Sequence, residues 1–228
     1  MPSQIAVSRR HAAEPAILVK AFLKTDLDAK SHPPVGAVQH FVADREIFSE
    51  GGNADYFYKV VSGVVRTCKF LSDGRRQIDA FHVAGEIFGF EPGSDYRLSA
   101  EAVSDSTVIA YRKNKQDLFA GTDALVSREL LSFAMRGMTR AQDHSLLLGR
   151  RSAVEKVVAF LLDWAKKSAD QKTISLAMSR QDIADYLGLT IETVSRTLSQ
   201  LERDAMIALP SARQIRIRNL DALQDLSC

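Results

Sequence analysis

The sequence predicts an α+β protein in which an antiparallel β domain precedes a long helix and a small helical module. Short runs rich in Val, Ile, Phe and Tyr alternate with Gly-containing turns between Val38 and Tyr111. Apolar residues recur at helical spacing from Asp123 to Gly149. Two short amphipathic segments then flank Gly188 and precede an alternating strand pattern. The 228 residues are enough for two domains.

The β domain is recognised by its hairpin signals. The strand-like runs Tyr56–Val61 and Val64–Phe70 are separated by Ser62-Gly63, and Ser72-Asp73-Gly74 separates the second run from Gln77–Val83. An Asp-Gly pair between two such runs is a strong predictor of a tight turn. The repeated short strands favour an antiparallel sandwich or roll, and their spacing does not distinguish the two.

The segment 123–149 predicts a helix with two neighbouring apolar faces. One face could cover the β domain of the same chain, and the other could cover a partner's copy of the helix. The alternative is a single helix packed within a monomer. Positions that we assign to the dimerisation helix are Leu130, Phe133, Gly137, Arg140, Ala141, His144, Leu147 and Leu148, with Leu131, Met135 and Met138 forming the second face.

The segment Met178–Leu209 has the pattern of a helix-turn-helix. Ser179 is a good N-cap, and Asp182 three residues later is a capping-box partner. Gly188 permits the left-handed conformation of a turn, and Thr190 caps the second helix. The alternating stretch Gln214–Arg218 follows a turn and predicts a small hairpin, so the module is a winged helix.

The predicted exposed side of the second helix carries residues suited to reading bases. Arg196 can donate two hydrogen bonds to guanine, Glu192 can accept one from an amino group, and Ser195 can contact either base edge or a thymine methyl. Glu192 and Arg196 could instead merely pair along a solvated helix. Residues expected to bind DNA phosphates are Ser179, Arg180, Gln181, Thr190 and Thr193, with Arg213, Arg216 and Arg218 of the hairpin as further candidates.

Composition narrows the class of protein. Residues 150–220 contain 12 Lys and Arg against 8 Asp and Glu, whereas residues 1–149 contain 18 of each, so the positive charge is in the C-terminal third. The two cysteines, Cys68 and Cys228, argue against a disulfide framework or a thiolate metal site. No apolar run approaches the length of a membrane span. We therefore expect a cytoplasmic protein without a membrane partner or a catalytic site.

Four segments together resemble the Crp–Fnr family of transcription regulators over nearly the whole chain. Ile191–Arg196 resembles the E-x-x-S-R recognition helix of the Fnr and FixK branch, and Asp185–Thr190 matches the segment before it. Phe81–Phe90 resembles the β-roll of that branch, and Leu146–Arg150 resembles the end of its dimerisation helix. The segments occur in the family's order and spacing, and FixK-type regulators of low-oxygen genes are the most similar branch.

The resemblance implies an architecture and a DNA site. The N-terminal tail is 1–35, the cyclic-nucleotide-binding-like β-roll is 36–122, the dimerisation helix is 123–149, and the winged helix-turn-helix is 150–228. The implied DNA site is a palindrome of the form TTGA…TCAA bound by a homodimer. Arg196 would then contact the G·C pair, Glu192 the opposite strand and Ser195 a thymine.

Departures from the family pattern predict a regulator without a cofactor. Residues 1–37 contain no cysteine, and none lies near Ile109, so the ligands of an iron–sulfur cluster are missing. The stretch Gly89–Ser99 is shortened and lacks the adjacent Arg-Ser that would hold a cyclic phosphate; only Arg97 and Ser99 remain. An effector-dependent, cyclic-nucleotide-type regulator is the alternative.

The sequence also offers a candidate contact with RNA polymerase and allows the alternative of a metalloenzyme to be weighed. The charged turn Ser72–Arg76 resembles a family turn that contacts RNA polymerase, so Asp73, Gly74 and Arg75 are candidate polymerase contacts of an activator. A pure repressor is also possible. A jelly-roll metalloenzyme would need clustered ligands, whereas His40 and His82 are isolated.

Overall fold

A computed structural model describes residues 36–113, 124–150, 152–168 and 172–226 of the chain. The predicted tail 1–35 lies outside these residues. The elements are β1 (Ala37–Phe41), β2 (Glu46–Phe48), β3 (Tyr56–Ser62), β4 (Val65–Phe70), β5 (Arg76–His82), β6 (Ile87–Phe88), β7 (Ser99–Ala102), β8 (Ser106–Arg112), α1 (Ala124–Arg150), α2 (Ala153–Lys166), β9 (Thr173–Ser175), α3 (Arg180–Leu187), α4 (Ile191–Arg203), β10 (Ile207–Ser211), β11 (Gln214–Ile217) and α5 (Leu220–Asp225).

The first eight strands form two four-stranded antiparallel sheets. One sheet has the order β1-β8-β3-β6 and the other has the order β2-β7-β4-β5. The hairpin predicted at Asp73-Gly74 joins β4 to β5, whose register pairs Phe70 with Arg76. Apart from β4 and β5, strands that follow one another in the sequence lie in different sheets, so the chain crosses repeatedly from one sheet to the other. This arrangement confirms the predicted roll.

Aromatic rings fill the space between the two sheets of the roll. Phe48 stacks on Tyr96 with 3.7 Å between ring centroids and on Tyr58 at 5.5 Å. Tyr58 in turn stacks on Phe88 at 5.3 Å. Tyr58, Phe88 and Tyr96 are buried in the same cluster, so the core of the roll is packed by these side chains.

Helix α1 leaves the roll and leads to the C-terminal module. It runs to Arg150, one residue beyond the dimerisation helix expected at 123–149, and α2 begins at Ala153. Ser152 caps α2, because its hydroxyl accepts a hydrogen bond from the backbone N–H of Glu155 and the Glu155 carboxylate accepts one from the Ser152 N–H. The two helices are therefore separate elements joined by a short connection.

The C-terminal module is a winged helix, as predicted. Helices α2, α3 and α4 pack around a shared core, and β10 and β11 form an antiparallel hairpin. The hairpin and β9 make a three-stranded sheet of order β10-β11-β9. Fully buried side chains in this core include Ile174, Ile183, Leu187, Val194, Leu198, Leu201, Ile207 and Ile215.

The roll and the winged helix share apolar contacts. Phe81 of β5 lies 6.2 Å from the Trp164 ring and 5.4 Å from the Tyr186 ring, measured between centroids. Ile78 and Cys68 of the roll belong to the same buried cluster as the core of the C-terminal module. Across the described ranges, none of the helices combines the length and the apolar character needed to cross a bilayer.

Candidate nucleic-acid interface

Local capping interactions position the two helices of the helix-turn-helix. The Ser179 hydroxyl accepts from the Asp182 N–H at 3.1 Å, and the Asp182 carboxylate accepts from the Ser179 N–H at 2.9 Å. Gly188 ends α3 with φ +61°, in the left-handed region. The Thr190 hydroxyl accepts from the Thr193 N–H at 3.2 Å and caps α4. All three predicted features of the motif are present.

Helix α4 has one buried and one exposed side. Val194, Leu198 and Leu201 are at most 2% exposed and pack into the core of the module. Glu192, Ser195 and Arg196 lie on the exposed side. The three predicted base-reading residues therefore lie on one free surface of a helix whose orientation is fixed by its buried side.

The first turn of α4 keeps Glu192 charged. Hydrogen bonds from the helix's own N-terminal backbone, followed by one from Thr190, lower the pKa of the Glu192 carboxyl, and the positive charge of Arg196 contributes least. Glu192 is thus an acceptor at neutral pH, as contact with a base amino group requires. The Glu192 carboxylate therefore interacts with the N-terminus of α4 as well as with Arg196.

The predicted phosphate-binding residues lie around the N-termini of α3 and α4. Ser179, Gln181 and Thr190 are exposed, and Thr193 is half-buried. Arg180 is also half-buried; burial lowers the pKa of its guanidinium, and among the described residues its Nη1 atom has no hydrogen-bond partner. The N-termini of α3 and α4 offer backbone N–H groups suited to phosphate oxygens. The Ser179 hydroxyl donates to Asp182 and the Gln181 side-chain amide donates to Asp185, so these two side chains have partners within the chain.

The wing adds positive charge beside these helices. Arg213 lies in the turn between β10 and β11, and Arg216 and Arg218 follow it. All three are exposed, while the intervening Ile215 and Ile217 are buried in the module core. The alternation gives the hairpin one apolar side and one basic side.

Several residues expected on the dimerisation surface contact their own chain. The Arg140 guanidinium lies 3.3 Å from the Glu86 carboxylate of the roll. His144 is buried, stacks on Tyr186 at 4.1 Å and shares a hydrogen bond of 2.9 Å with the Tyr186 carbonyl. Leu147 packs against the common core, and the Leu148 side chain lies near Gly188.

The opposite side of α1 is exposed and apolar. Met135 and Met138 are each 49% exposed and Leu146 is 59% exposed. Of the other assigned positions, Phe133 and Gly137 are half-buried and Ala141 is exposed; the side chain of Leu130 lies outside the described part of the chain. The exposed apolar side chains on this side are thus Met135 and Met138 of the second predicted face, together with Leu146, and the side chain of Leu131 lies outside the described part of the chain.

The turn between β4 and β5 is an exposed, compact loop. Asp73 and Arg75 form an ion pair of 2.7 Å, and the side-chain hydrogen bond from Arg75 lowers the pKa of the Asp73 carboxyl. Gly74 has φ +82° and open space around it. Asp73, Gly74 and Arg75 are all exposed.

The residues in the position of a cyclic phosphate site do not form an anion cradle. Arg97 is 77% exposed, and its Nε lies 2.7 Å from the carboxylate of buried Glu91. Ser99 is buried, and its hydroxyl accepts from the Glu50 N–H. Within the described ranges, no group of three or more His, Cys, Asp or Glu is arranged to hold a metal ion.

Sequence reasoning missed an ionic contact between the roll and the first helix of the motif. Arg66 of β4 and Arg76 of β5 both reach the Asp182 carboxylate, and Arg76 also pairs with Asp185. The available signal was weak: Arg66 interrupts the apolar run Val64–Cys68, where a charge needs a partner. Nothing in the sequence indicated that the partner would lie more than a hundred residues away.

Two family matches cover most of the chain. Residues 155–226 match the Crp-like helix-turn-helix domain, and residues 38–119 match the cyclic nucleotide-binding domain. The nitrogen fixation regulation protein FixK of Azorhizobium caulinodans is 47% identical over 197 residues, which cover 84% of this chain and 79% of that protein. The fumarate and nitrate reduction regulatory protein of Escherichia coli is 30% identical over 187 residues, covering 79% and 74%.

A solved structure agrees with these matches. FixK2 from Bradyrhizobium japonicum superposes with a TM-score of 0.80 and 45% sequence identity, covering 86% of this chain and 98% of that chain. The chain therefore belongs to the Crp–Fnr family of DNA-binding transcription regulators and is not an enzyme. Within that family its similarity is to FixK-type regulators, as the recognition-helix motif predicted.

Proposed function

We propose that this protein is a homodimeric transcription activator that reads a TTGA…TCAA-type palindrome without a bound cofactor. The observation that carries the proposal is the exposed group Glu192, Ser195 and Arg196 on α4, whose opposite side is locked in the core. In this proposal Arg196 donates to the guanine of each half-site, Glu192 accepts from a base on the other strand, and Ser195 contacts a thymine.

Phosphate contacts fix the register of the protein on the duplex. We assign them to Ser179, Arg180, Gln181, Thr190 and Thr193 at the two helix N-termini, and to the wing arginines Arg213, Arg216 and Arg218. The place of the first five at the N-termini of α3 and α4 and the exposure of the three wing arginines support this assignment. Such contacts contribute affinity independent of sequence and make binding strongly dependent on salt.

A dimer supplies the second recognition helix that a palindrome with two half-sites requires. The exposed Met135, Met138 and Leu146 on α1 support helix-to-helix association, because a two-fold interface places the same apolar face of both copies together. The unit then consists of the β-roll at 36–122, the dimerisation helix at 123–149 and the DNA-binding module at 150–228. Because the proposed partner is DNA, we propose that the protein acts in the cytoplasm.

The contacts in the roll favour activity without an effector. Arg97 is held by Glu91 and faces solvent, and the rings of Phe48, Tyr58 and Tyr96 stack where the two sheets meet. A cyclic phosphate bound by Arg97 would have to break the Arg97–Glu91 ion pair. Relatives named for the regulation of nitrogen fixation and of fumarate and nitrate reduction support a place in the low-oxygen response.

The direct test is fluorescence anisotropy with a duplex that carries the TTGA and TCAA half-sites one helical turn apart. Titrations at fixed salt are made with and without cyclic AMP, and with a scrambled duplex as control. Tight binding to the palindrome alone, unchanged by cyclic AMP, is the expected result. Binding only in the presence of cyclic AMP would instead support the effector-dependent alternative, and equal binding to both duplexes would contradict sequence-specific recognition.

Activation requires contact with RNA polymerase, and we assign that contact to Asp73, Gly74 and Arg75. Replacing Arg75 by Ala also releases Asp73 from its ion pair. In a reconstituted transcription assay, Arg75→Ala should lower transcript yield while leaving the dissociation constant for the palindrome unchanged. A parallel loss of DNA affinity and transcription would remove the reason for assigning the turn to polymerase.

A further inference from the structure

A buried ionic network joins the β-roll to α3. The Arg66 Nε donates to Glu101 at 2.7 Å, and its Nη1 donates to the Asp182 Oδ1 atom at 3.1 Å. The Arg76 Nη2 also reaches the Asp182 Oδ1, at 2.5 Å, and the Asp185 Oδ2 at 2.8 Å. The roll therefore contributes two guanidinium groups and α3 contributes two carboxylates.

The network is shielded from solvent. The side chains of Arg66 and Asp182 are 8% and 6% exposed, and those of Arg76 and Asp185 are 17% and 12% exposed. Buried ion pairs with good geometry resist rearrangement, because separating them leaves uncompensated charge in a medium of low polarity. These contacts therefore restrict the orientation of α3 on the roll far more than exposed pairs could.

Asp182 couples this network to the DNA-facing end of α3. One of its oxygens, Oδ1, accepts from both arginines, while the other, Oδ2, accepts from the backbone N–H and hydroxyl of Ser179. The same carboxylate thus caps the helix and binds the roll. Since α3 and α4 share a core, holding α3 also fixes the direction in which α4 projects.

We propose that Arg66 and Arg76 are positioning residues for palindrome recognition, which set the separation of the two recognition helices by holding α3 through Asp182 and Asp185. The inference rests on the proposed dimeric function. Two linked binding modules bind best when their fixed spacing matches the site, whereas loosely held modules bind less tightly but tolerate other spacings. The network thereby gives this regulator its preference for one half-site spacing without a ligand.

The test is the dependence of affinity on spacer length. Dissociation constants are measured by anisotropy at fixed salt for duplexes whose half-sites are separated by the matching spacer or by two base pairs more or fewer. The wild-type protein is compared with Arg76→Gln and Asp185→Asn, with their double variant, with the conservative Arg76→Lys, and with Arg45→Gln. The last removes the same charge from an exposed position of the roll.

The wild-type protein should lose about a hundredfold in affinity when the spacer changes, following the multivalency argument. Arg76→Gln and Asp185→Asn should each bind the matching spacer about tenfold more weakly, with a markedly flatter spacer profile. The double variant should add little to Arg76→Gln, because that change already removes the ion-pair partner of Asp185. Arg76→Lys should retain part of the selectivity, and Arg45→Gln should behave as the wild type.

Thermal denaturation of each variant separates positioning from simple loss of folding. A uniform loss of affinity at every spacer, in proportion to a lower melting temperature, would overturn the inference, as would an unchanged spacer profile. Tighter binding by Arg76→Gln would also overturn it, since the network would then hold α4 away from DNA. A wild-type protein that shows no preference for the palindrome would contradict the proposed function itself and this inference with it.

Discussion

His82 illustrates what burial does to a single ionisable side chain. It is 8% exposed, its Nε2 shares a hydrogen bond of 3.1 Å with the Thr67 hydroxyl, and its ring stacks on Phe88. Burial, followed by the positive charges of Arg140 and Lys167, lowers the pKa of His82 to about 3. The residue is therefore a neutral part of the roll core at physiological pH.

The lowered pKa of His82 predicts a loss of stability in mild acid. At pH values between the unfolded-state pKa of about 6.5 and the folded-state pKa, His82 is protonated in the unfolded chain and neutral in the folded chain. The free energy of unfolding therefore falls as pH decreases through this range. From pH 7.5 to 5.5 this costs the folded state about 1.4 kcal/mol. In urea unfolding experiments, the free energy of unfolding should fall between the two pH values by this amount more in the wild type than in His82→Gln. Identical losses in both proteins would contradict it.

At the scale of elements, the turn at Gly63 requires glycine for two reasons. Its φ is +83°, and a Cβ there would lie 2.7 Å from the Ser106 Cα and even closer to the Asp105 carbonyl oxygen. Gly51 has a similar φ of +80° with nothing within 4 Å of a Cβ. A substitution at Gly51 therefore meets backbone strain alone, whereas one at Gly63 meets both backbone strain and steric overlap.

This pair gives a matched prediction for stability. Gly51→Ala should destabilise the fold by about 1–2 kcal/mol, the cost of the left-handed conformation. Gly63→Ala should cost about 1–3 kcal/mol more, because backbone atoms of the β7–β8 turn must move. Urea midpoints measured at one protein concentration compare the two variants. Equal destabilisation by the two substitutions would show that the backbone at Asp105 and Ser106 moves aside with no loss of stability.

The elements of the DNA-binding module were predictable because their determinants are local. The Ser179–Asp182 capping box, Gly188 and Thr190 each act on partners within about four residues, so their sequence pattern suffices. The alternating Ile215 and Ile217 likewise revealed the hairpin. By contrast, Arg66 and Asp182 are 116 residues apart. No local sequence pattern indicates which buried charged side chains will pair across such a distance.

The assignment of faces on α1 shows the same limit. Helical spacing identified two apolar faces, but the face containing Arg140 and His144 contacts Glu86 and Tyr186 of the same chain. Helical periodicity identifies the positions that form an apolar face, but it does not identify the surface that covers that face. That choice depends on how the roll and the winged helix pack against α1.

At the scale of the whole molecule, the exposed face of α1 predicts a dimer. Met138→Lys should raise the dimer dissociation constant at least about tenfold, because the two-fold axis places a charge in the apolar interface from each copy. Ser132→Lys adds the same charge at an exposed position on the flank of the helix and should leave association unchanged. Sedimentation equilibrium measures both variants. Equal association of Met138→Lys and wild type would place the interface elsewhere.

The central claim is that the exposed side of α4 reads the bases of the palindrome, and one double comparison tests it most directly. Dissociation constants are measured at fixed salt for wild type and Arg196→Ala, each with the TTGA…TCAA duplex and with a duplex in which both G·C pairs are A·T. The wild type should favour the first duplex by about 1–3 kcal/mol per half-site, and Arg196→Ala should lose most of that preference. If Arg196→Ala weakens binding to both duplexes equally, Arg196 binds phosphate and the proposed reading of the palindrome is contradicted.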